Sequence, residues 1–184
     1  MKHVLKSGFS LFTIAAIVTL LIAMVHERTL EPIAQKIQKT QERTMKEVLS
    51  QASDFAEISA AKTGSIVKIF EGYSRGMLVG YVIELAPQGY SGAINMMVGI
   101  SKTNNMITGM RIIKHSETPG LGALAVKENF YRQYDFKKPV PLRVVKNSPR
   151  ENEIAAITSA TITTVAITDA VNEAIKWYNE VISQ

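Results

Sequence analysis

The stretch of the chain that could do chemistry most directly is a hydroxyl-rich run ahead of the last helical segment. Five of the seven residues from Thr158 to Thr164 are Ser or Thr. Such residues cap helix N-termini, and one of them would be needed here for that reason alone. The N–H groups and the positive dipole end of a helix N-terminus also suit a phosphate group. From these residues, both a plain helix cap and a phosphate site remain open.

Two further stretches carry turn residues beside predicted strands. The segment from His115 to Gly122 (HSETPGLG) contains a Pro and two Gly, which bend the backbone and allow close approach to a flat ligand. The segment from Gln88 to Gly92 (QGYSG) joins two strands, and its glycines leave room beside the backbone for a pocket wall. An ordinary connecting turn and a hairpin loop are the alternative interpretations.

Several other kinds of chemistry are excluded by the composition. The chain has no Cys and only 3 His, so a disulfide framework, a thiolate metal site and a Cys nucleophile are ruled out. The sequence has no Ser–His–acid set, P-loop or dinucleotide GxGxxG motif. We therefore assign no catalytic residue and no metal ligand. The formal net charge of +5 is dispersed, which argues against a nucleic-acid partner.

An uncharged apolar stretch near the N-terminus predicts a single transmembrane anchor. It runs from Gly8 to Val25, and about 20 apolar residues cross the hydrocarbon core of a bilayer. Because it is longer than the apolar core of a signal peptide and no small-residue cleavage site follows, we expect it to be retained. Lys2 and Lys6 precede it, which predicts a cytoplasmic N-terminus and a C-terminal domain on the outer face of the cell (inner or plasma) membrane.

The pattern of apolar residues predicts three regions. They are an anchor (residues 1–26), a juxtamembrane helical stalk (27–62) and a C-terminal domain (63–184). In the domain, four β-rich segments separated by turn residues predict an antiparallel meander, namely Ile66–Glu71, Leu78–Ala86, Ala93–Ile100 and Ile107–His115. The predicted fold class is α+β, with a mainly antiparallel twisted sheet flanked by helices.

The remaining elements of the domain follow this meander. A helical segment near Ala123–Tyr131 and a strand around Leu142–Lys146 are predicted next. A long helix from Thr161 to about Ile182 closes the chain. Its predicted apolar stripe includes Val165, and Glu173 is predicted to face away from that stripe.

Taken in order, GYSG, ETPGLG and TSAT before a terminal helix, the motifs resemble those of the FMN-binding domain family. The resemblance covers the chain from about Thr63 to the C-terminus. Within that family the chain is similar to the G subunits of Rnf-type ion-translocating ferredoxin:NAD⁺ oxidoreductases, and in layout to the C subunits of Na⁺-translocating NADH:quinone reductases. The resemblance implies a membrane-anchored electron-transfer subunit, without catalysis of its own, that relays electrons between other membrane subunits of such a complex.

The resemblance also implies that FMN is bound covalently. Family members carry FMN through a phosphoester to the Thr that ends an S/T-G-A-T motif, so Thr161 is the expected attachment residue, and a separate flavin transferase would install the cofactor. The other expected cofactor-binding residues are Thr158, Ser159, Ala160, Thr163, Glu117, Thr118, Gly120, Leu121, Tyr90 and Gly92. Backbone N–H groups of Gly120 and Leu121 are expected to face polar atoms of the flavin.

Two residues depart from the family pattern. Ser159 stands where the family usually has Gly, and Ala155 stands where an Asp is often found. Both belong to the segment that the flavin transferase is expected to recognise. Two other functions therefore stay open: a non-flavinylated assembly or sensory subunit of the same fold, and a stand-alone FMN-dependent reductase.

Overall fold

The structure is a computed structural model that describes residues 2–58 and 64–182 of the chain. The chain divides into two compact units, Met1–Gln41 and Glu42–Gln184. The first unit contains most of helix α1 (Lys2–Val48), and the second contains the end of α1 and every other described element. The predicted region boundaries at residues 26 and 62 stay predictions.

Helix α1 exposes large apolar side chains along its N-terminal part. Phe9, Leu11, Phe12 and Leu20 are among them, each at least 65% exposed. No helix in the described part of the chain has both the length and the apolarity needed to cross a membrane. The predicted anchor lies partly outside that part, because the side chains of Ser10 and Val25 are not included in it.

An antiparallel five-stranded sheet forms the centre of the second unit. Its strands are β1 (Asp54–Ile58), β2 (Ile66–Ser74), β3 (Met77–Leu85), β4 (Asn95–Ser101) and β5 (Met106–Lys114), in that spatial order. Arg75 and Gly76, with φ of 52° and 77°, close the β2–β3 hairpin, as a two-residue turn with two left-handed residues does. The predicted meander is confirmed as β2 to β5, and β1 is an additional strand at the edge.

The C-terminal half adds short elements and one long helix. Two 3₁₀ turns (Gly122–Val126 and Arg132–Tyr134) flank α2 (Glu128–Tyr131). Strands β6 (Arg143–Val145) and β7 (Glu153–Ala155) pair in parallel, and α3 (Thr161–Ile182) closes the described chain. The predicted terminal helix and the strand near 142–146 are confirmed, whereas the predicted helix near 123–131 is mostly 3₁₀.

The two faces of the sheet carry separate hydrophobic clusters because successive strand residues point to opposite sides. We call the larger cluster the α3 core. It joins strand residues such as Ile83 and Val98 to Val171 and Tyr178 of α3. We call the smaller cluster the α1-end core. It consists of Met45, Val48, Leu49, Ala52, Phe70, Val82 and Met97.

The exposed and buried faces of α3 differ from the sequence prediction at two positions. Val165 is 38% exposed, because the buried face follows Thr164, Ile167 and Thr168 at helical spacing and therefore uses hydroxyl residues that an apolar count leaves out. Glu173 does not simply face solvent. Its carboxylate accepts hydrogen bonds from the N–H and Oγ of Ser65, at 2.6 and 2.7 Å.

Buried polar groups in the α3 core are paired. The hydroxyls of Tyr134 and Thr168 lie 2.8 Å apart, and Thr168 donates to the carbonyl of Thr164. Burial raises the pKa of Tyr134 well above its ordinary value, so this phenol stays protonated. The pair fixes the 3₁₀ turn that contains Tyr134 against the middle of α3.

Candidate cofactor site

The hydroxyl-rich run forms the first turn of α3 and the loop before it. Thr164 closes this turn, because its Oγ1 accepts the N–H of Ile157 at 3.1 Å and donates to the carbonyl of Ala160 at 3.1 Å. Thr164 is fully buried, whereas Thr158, Ser159 and Thr161 are exposed. A local hydrogen-bonding role therefore belongs to Thr164, and the hydroxyl of Thr161, the first residue of the helix, stays accessible.

Ser159 adopts a backbone conformation that suits glycine. Its φ is +63°, in the left-handed region that costs an L-residue about 1–2 kcal/mol. The family's usual Gly would adopt the same conformation without that penalty. The departure at this position thus keeps the shape of the loop at a small cost in stability.

The backbone of Ala155, the other departure, is fastened by a side chain that sequence reasoning did not single out. The Oε1 of Gln133 accepts the N–H of Ala155 at 2.7 Å, and its Nε2 donates to the carbonyl of Ala155 at 3.3 Å. The next N–H, of Ala156, donates to the carbonyl of Val145 at 2.8 Å. The chain therefore enters the loop before Thr161 from a fixed point.

Glu117 brings the three motifs together. It is only 6% exposed, and its Oε1 accepts the N–H of Ser91 at 2.8 Å while its Oε2 accepts the hydroxyl of Thr163 at 2.6 Å. These bonds span 26 and 46 residues of sequence and join the QGYSG loop, the ETPGLG loop and the first turn of α3.

Two glycines make room for this carboxylate. A Cβ on Gly89 would lie 2.6 Å from Oε1 of Glu117, and a Cβ on Gly122 would clash with its Oε2. Neither glycine stood among the predicted site residues. The glycine content of both loops was the available signal, but only the position of Glu117 explains which glycines are needed.

A cavity of about 450 Å³ lies between these segments. Its lining residues are Tyr90, Glu117, Thr118, Leu121, Gly122, Ser159, Ala160, Thr161, Ile162 and Thr163. Eight of these ten were predicted from the sequence, and Gly122 and Ile162 were not. Of the predicted residues, Thr158, Gly92 and Gly120 do not line it, and the N–H of Leu121 donates to the carbonyl of Thr118 within its own turn at 3.2 Å.

The cavity combines an apolar rim with one negative charge. Tyr90, Leu121 and Ile162 are all exposed at it, and Glu117 is the single charged residue among those that line it in the described chain. The first-turn N–H groups and the dipole of α3 supply the positive potential. The described residues contain no group of three or more His, Asp or Glu that could hold a metal ion.

The chain matches known families over both of its units. Residues 89–176 match the FMN-binding domain family, and residues 1–48 match the RnfG N-terminal region. Over 96% of its length the chain is 33% identical to the G subunit of the ion-translocating oxidoreductase complex of Methanosarcina acetivorans, of which it covers 95%. The chain belongs to the RnfG family. This family is the one that the sequence motifs indicated.

Other comparisons agree with this assignment. The chain is 36% identical to the G subunit of the Na⁺-translocating ferredoxin:NAD⁺ oxidoreductase complex of Acetobacterium woodii, over 96% of its own length and 92% of that relative. Among solved structures, the C subunit of the Na⁺-translocating NADH-quinone reductase of Parabacteroides distasonis is similar, with a TM-score of 0.64 and 16% identity over 84% of this chain and 98% of that one. The likeness to that structure shows the α+β fold.

Proposed function

We propose that this RnfG-family chain is an electron-transfer subunit of an Rnf-type ion-translocating ferredoxin:NAD⁺ oxidoreductase that carries FMN covalently on Thr161. The observation that carries the proposal is the meeting of three sequence-distant motifs around one cavity at the N-terminus of α3. The names of the M. acetivorans and A. woodii relatives, which are subunits of such complexes, support it.

The cavity fits FMN in size and in the chemistry of its walls. A volume of about 450 Å³ lies within the range of cofactor pockets. Thr161 offers an accessible hydroxyl at a helix N-terminus, where a phosphate is favoured. Tyr90, Leu121 and Ile162 offer apolar surface to a flat ring system. When bound, FMN would supply the capacity to accept and release electrons.

The residues of the chain hold and orient, rather than react. Thr161 would bear the phosphoester, and Glu117 holds both loops against α3 through Ser91 and Thr163. The exposed side of the cavity leaves a path for electrons to neighbouring redox centres, which in this proposal belong to the other membrane subunits of the complex. A separate flavin transferase would form the phosphoester.

The proposal is tested by the mass of the chain produced with and without an active flavin transferase. We expect added mass equal to FMN less one water, present only with the transferase and absent in Thr161→Ala. Thr161→Ser is the matched control, because it keeps a hydroxyl at the helix start and should be modified. An unmodified wild-type chain beside an active transferase would contradict the proposal and favour the non-flavinylated assembly or sensory subunit.

We also propose that residues 8–25 anchor the chain in the cell membrane as a single span, with the N-terminus in the cytoplasm. The uncharged sequence, the exposed apolar side chains of α1 and the match to the RnfG N-terminal region support this. The test is alkaline extraction of membranes, followed by protease treatment of intact cells or spheroplasts. Retention in the pellet and cleavage of the C-terminal domain from the outer face are expected, and release by alkali would contradict the anchor.

A further inference from the structure

Glu117 has a property that its hydrogen-bonding role does not require, namely a negative charge held inside the cavity wall. Both of its carboxylate oxygens accept hydrogen bonds, from Ser91 N–H and Thr163 O–H, which is the pattern that an ionised carboxylate satisfies. Its own N–H donates to Nδ1 of His115 at 3.2 Å, so that ring nitrogen carries no proton. In the part of the chain that the structure describes, no salt bridge neutralises Glu117.

We propose that Glu117 lowers the reduction potential of the cofactor in this cavity. Accepting an electron adds negative charge to the cavity, and a fixed carboxylate in its wall opposes that change. The opposition is strong because a buried charge is poorly screened by solvent, and none of the described residues that line the cavity brings a positive side chain. The electron comes from one partner redox centre and leaves to another, and no bond to Glu117 is made or broken.

This inference rests on the proposed function, since it requires FMN in the cavity. It differs from a structural role for Glu117, which would be to hold the two loops and α3 together. The two roles are separable because one depends on the charge and the other on the hydrogen bonds.

Glu117→Gln removes the charge and can keep both hydrogen bonds. The amide oxygen can accept the N–H of Ser91, and the amide nitrogen can donate to the hydroxyl of Thr163, which both accepts and donates. The side chain keeps its size, so the space left by Gly89 and Gly122 still fits it. Glu117→Asp keeps the charge.

Glu173, on α3, provides a matched control. Like Glu117, its carboxylate accepts one backbone N–H and one hydroxyl, both from Ser65. It lies twelve residues after Thr161, which is about 18 Å along a helix at 1.5 Å per residue. Glu173→Gln therefore makes the same charge change far from the attachment residue.

The experiment is a spectroelectrochemical titration of the full-length chain, loaded with FMN by a co-produced transferase and checked by mass. We expect the midpoint potential to shift to more positive values in Glu117→Gln, and to stay near that of the wild type in Glu173→Gln and Glu117→Asp. An unshifted potential in Glu117→Gln, or an equal shift in Glu173→Gln, would overturn the inference.

Two further outcomes also decide the matter. A Glu117→Gln chain that does not fold, or that folds and takes up no FMN, would assign Glu117 a structural role and overturn the inference while leaving the proposed function intact. A wild-type chain without added FMN mass would instead remove the proposed function, and the inference with it.

Discussion

The two faces of the five-stranded sheet are completed in different ways. The α3 core contains 24 buried residues drawn from four strands of the sheet, α3 and the segments around residues 125–160. The α1-end core contains seven, of which four (Met45, Val48, Leu49 and Ala52) come from the end of α1 and the turn after it. One face is thus covered by a whole helix, and the other by a segment of eight residues.

This difference separates the cofactor site from one of the two cores. Ala160 lines the cavity and belongs to the α3 core, whereas no described member of the α1-end core lines the cavity. We therefore expect changes under the end of α1 to lower the stability of the domain without changing flavin uptake by the molecules that stay folded. Changes near the start of α3 should affect both.

The largest effect is expected from Leu49→Ala. Leu49 is fully buried in the α1-end core, and its methyl groups approach Gly72 and Gly80. Removing it should leave a cavity and lower the free energy of unfolding by about 2–5 kcal/mol. Urea denaturation of the full-length chain in detergent measures this. Met77→Ala, at a 68% exposed side chain, is the control and should change little. Loss of FMN from folded Leu49→Ala would contradict the separation of the two faces.

A second effect on the same face is expected from Gly99→Ala. A Cβ at residue 99 would clash with the backbone carbonyl of Val48, which also accepts the hydroxyl of Thr108. Because backbone cannot move aside as a flexible side chain does, we expect a loss of about 1–3 kcal/mol.

Gly109, which pairs with Gly99 across β4 and β5, is the matched control for this substitution. Its Cβ would meet nothing closer than 3.5 Å, so Gly109→Ala should be tolerated. Thermal unfolding of both variants compares them, and equal destabilisation would show that the close approach of α1 is not the cause.

A smaller effect of opposite sign is expected from Ser159→Gly on the α3 side. Glycine removes the strain of a φ of +63°, partly offset by its greater freedom in the unfolded chain, so stability should rise by about 0.5–1 kcal/mol. Because the backbone shape is retained, FMN attachment should be at least as complete as in the wild type. A measured decrease in the melting temperature would contradict the strain argument.

The smallest effect is expected from Asp135→Asn, beside β5. The Oδ1 of Asp135 is buried without a hydrogen-bond partner in the described structure, and burial raises the pKa of this carboxyl above its ordinary 3.8 despite the nearby Arg111 and Arg132. The folded state then binds the proton more tightly than the unfolded state, so Asp135 lowers stability as pH rises from 3.8 through the raised pKa.

We therefore expect Asp135→Asn to be slightly more stable than the wild type at neutral pH. The difference should vanish below about pH 3.8, where the carboxyl is protonated in both states. Chemical denaturation at several pH values measures it, with the exposed Asp169→Asn as control. A gain that persists at acidic pH would exclude ionisation as its cause.

The sheet and the last helix could be predicted because their signals are local. Strands β2 to β5 are apolar and bounded by turn residues, and α3 has a clear helical period. Strand β1 was missed because Asp54–Ile58 is short and mostly exposed, so that pairing with β2 rather than burial defines it. The packing of Val48 and Leu49 under the sheet depends on contacts across the fold, which no local pattern reveals.

The site was predicted largely through its motifs, and its internal arrangement was not. The motifs indicated the two loops and the start of α3, but not that Glu117 joins them through Ser91 and Thr163. Gln133 gave no signal, because its role is a pair of hydrogen bonds to backbone 22 residues away. Side chains that serve distant backbone groups look like ordinary polar residues in a sequence.

The fastening of the loop before Thr161 has a consequence for the order of events during biogenesis. Gln133 fixes Ala155 at one end, and Thr164 fixes Ile157 at the other, so the loop acquires its shape only when these distant segments have come together. If a separate transferase reads that shape, it acts on the finished domain and passes over nascent chains. An attached flavin would then mark a molecule that had already matured.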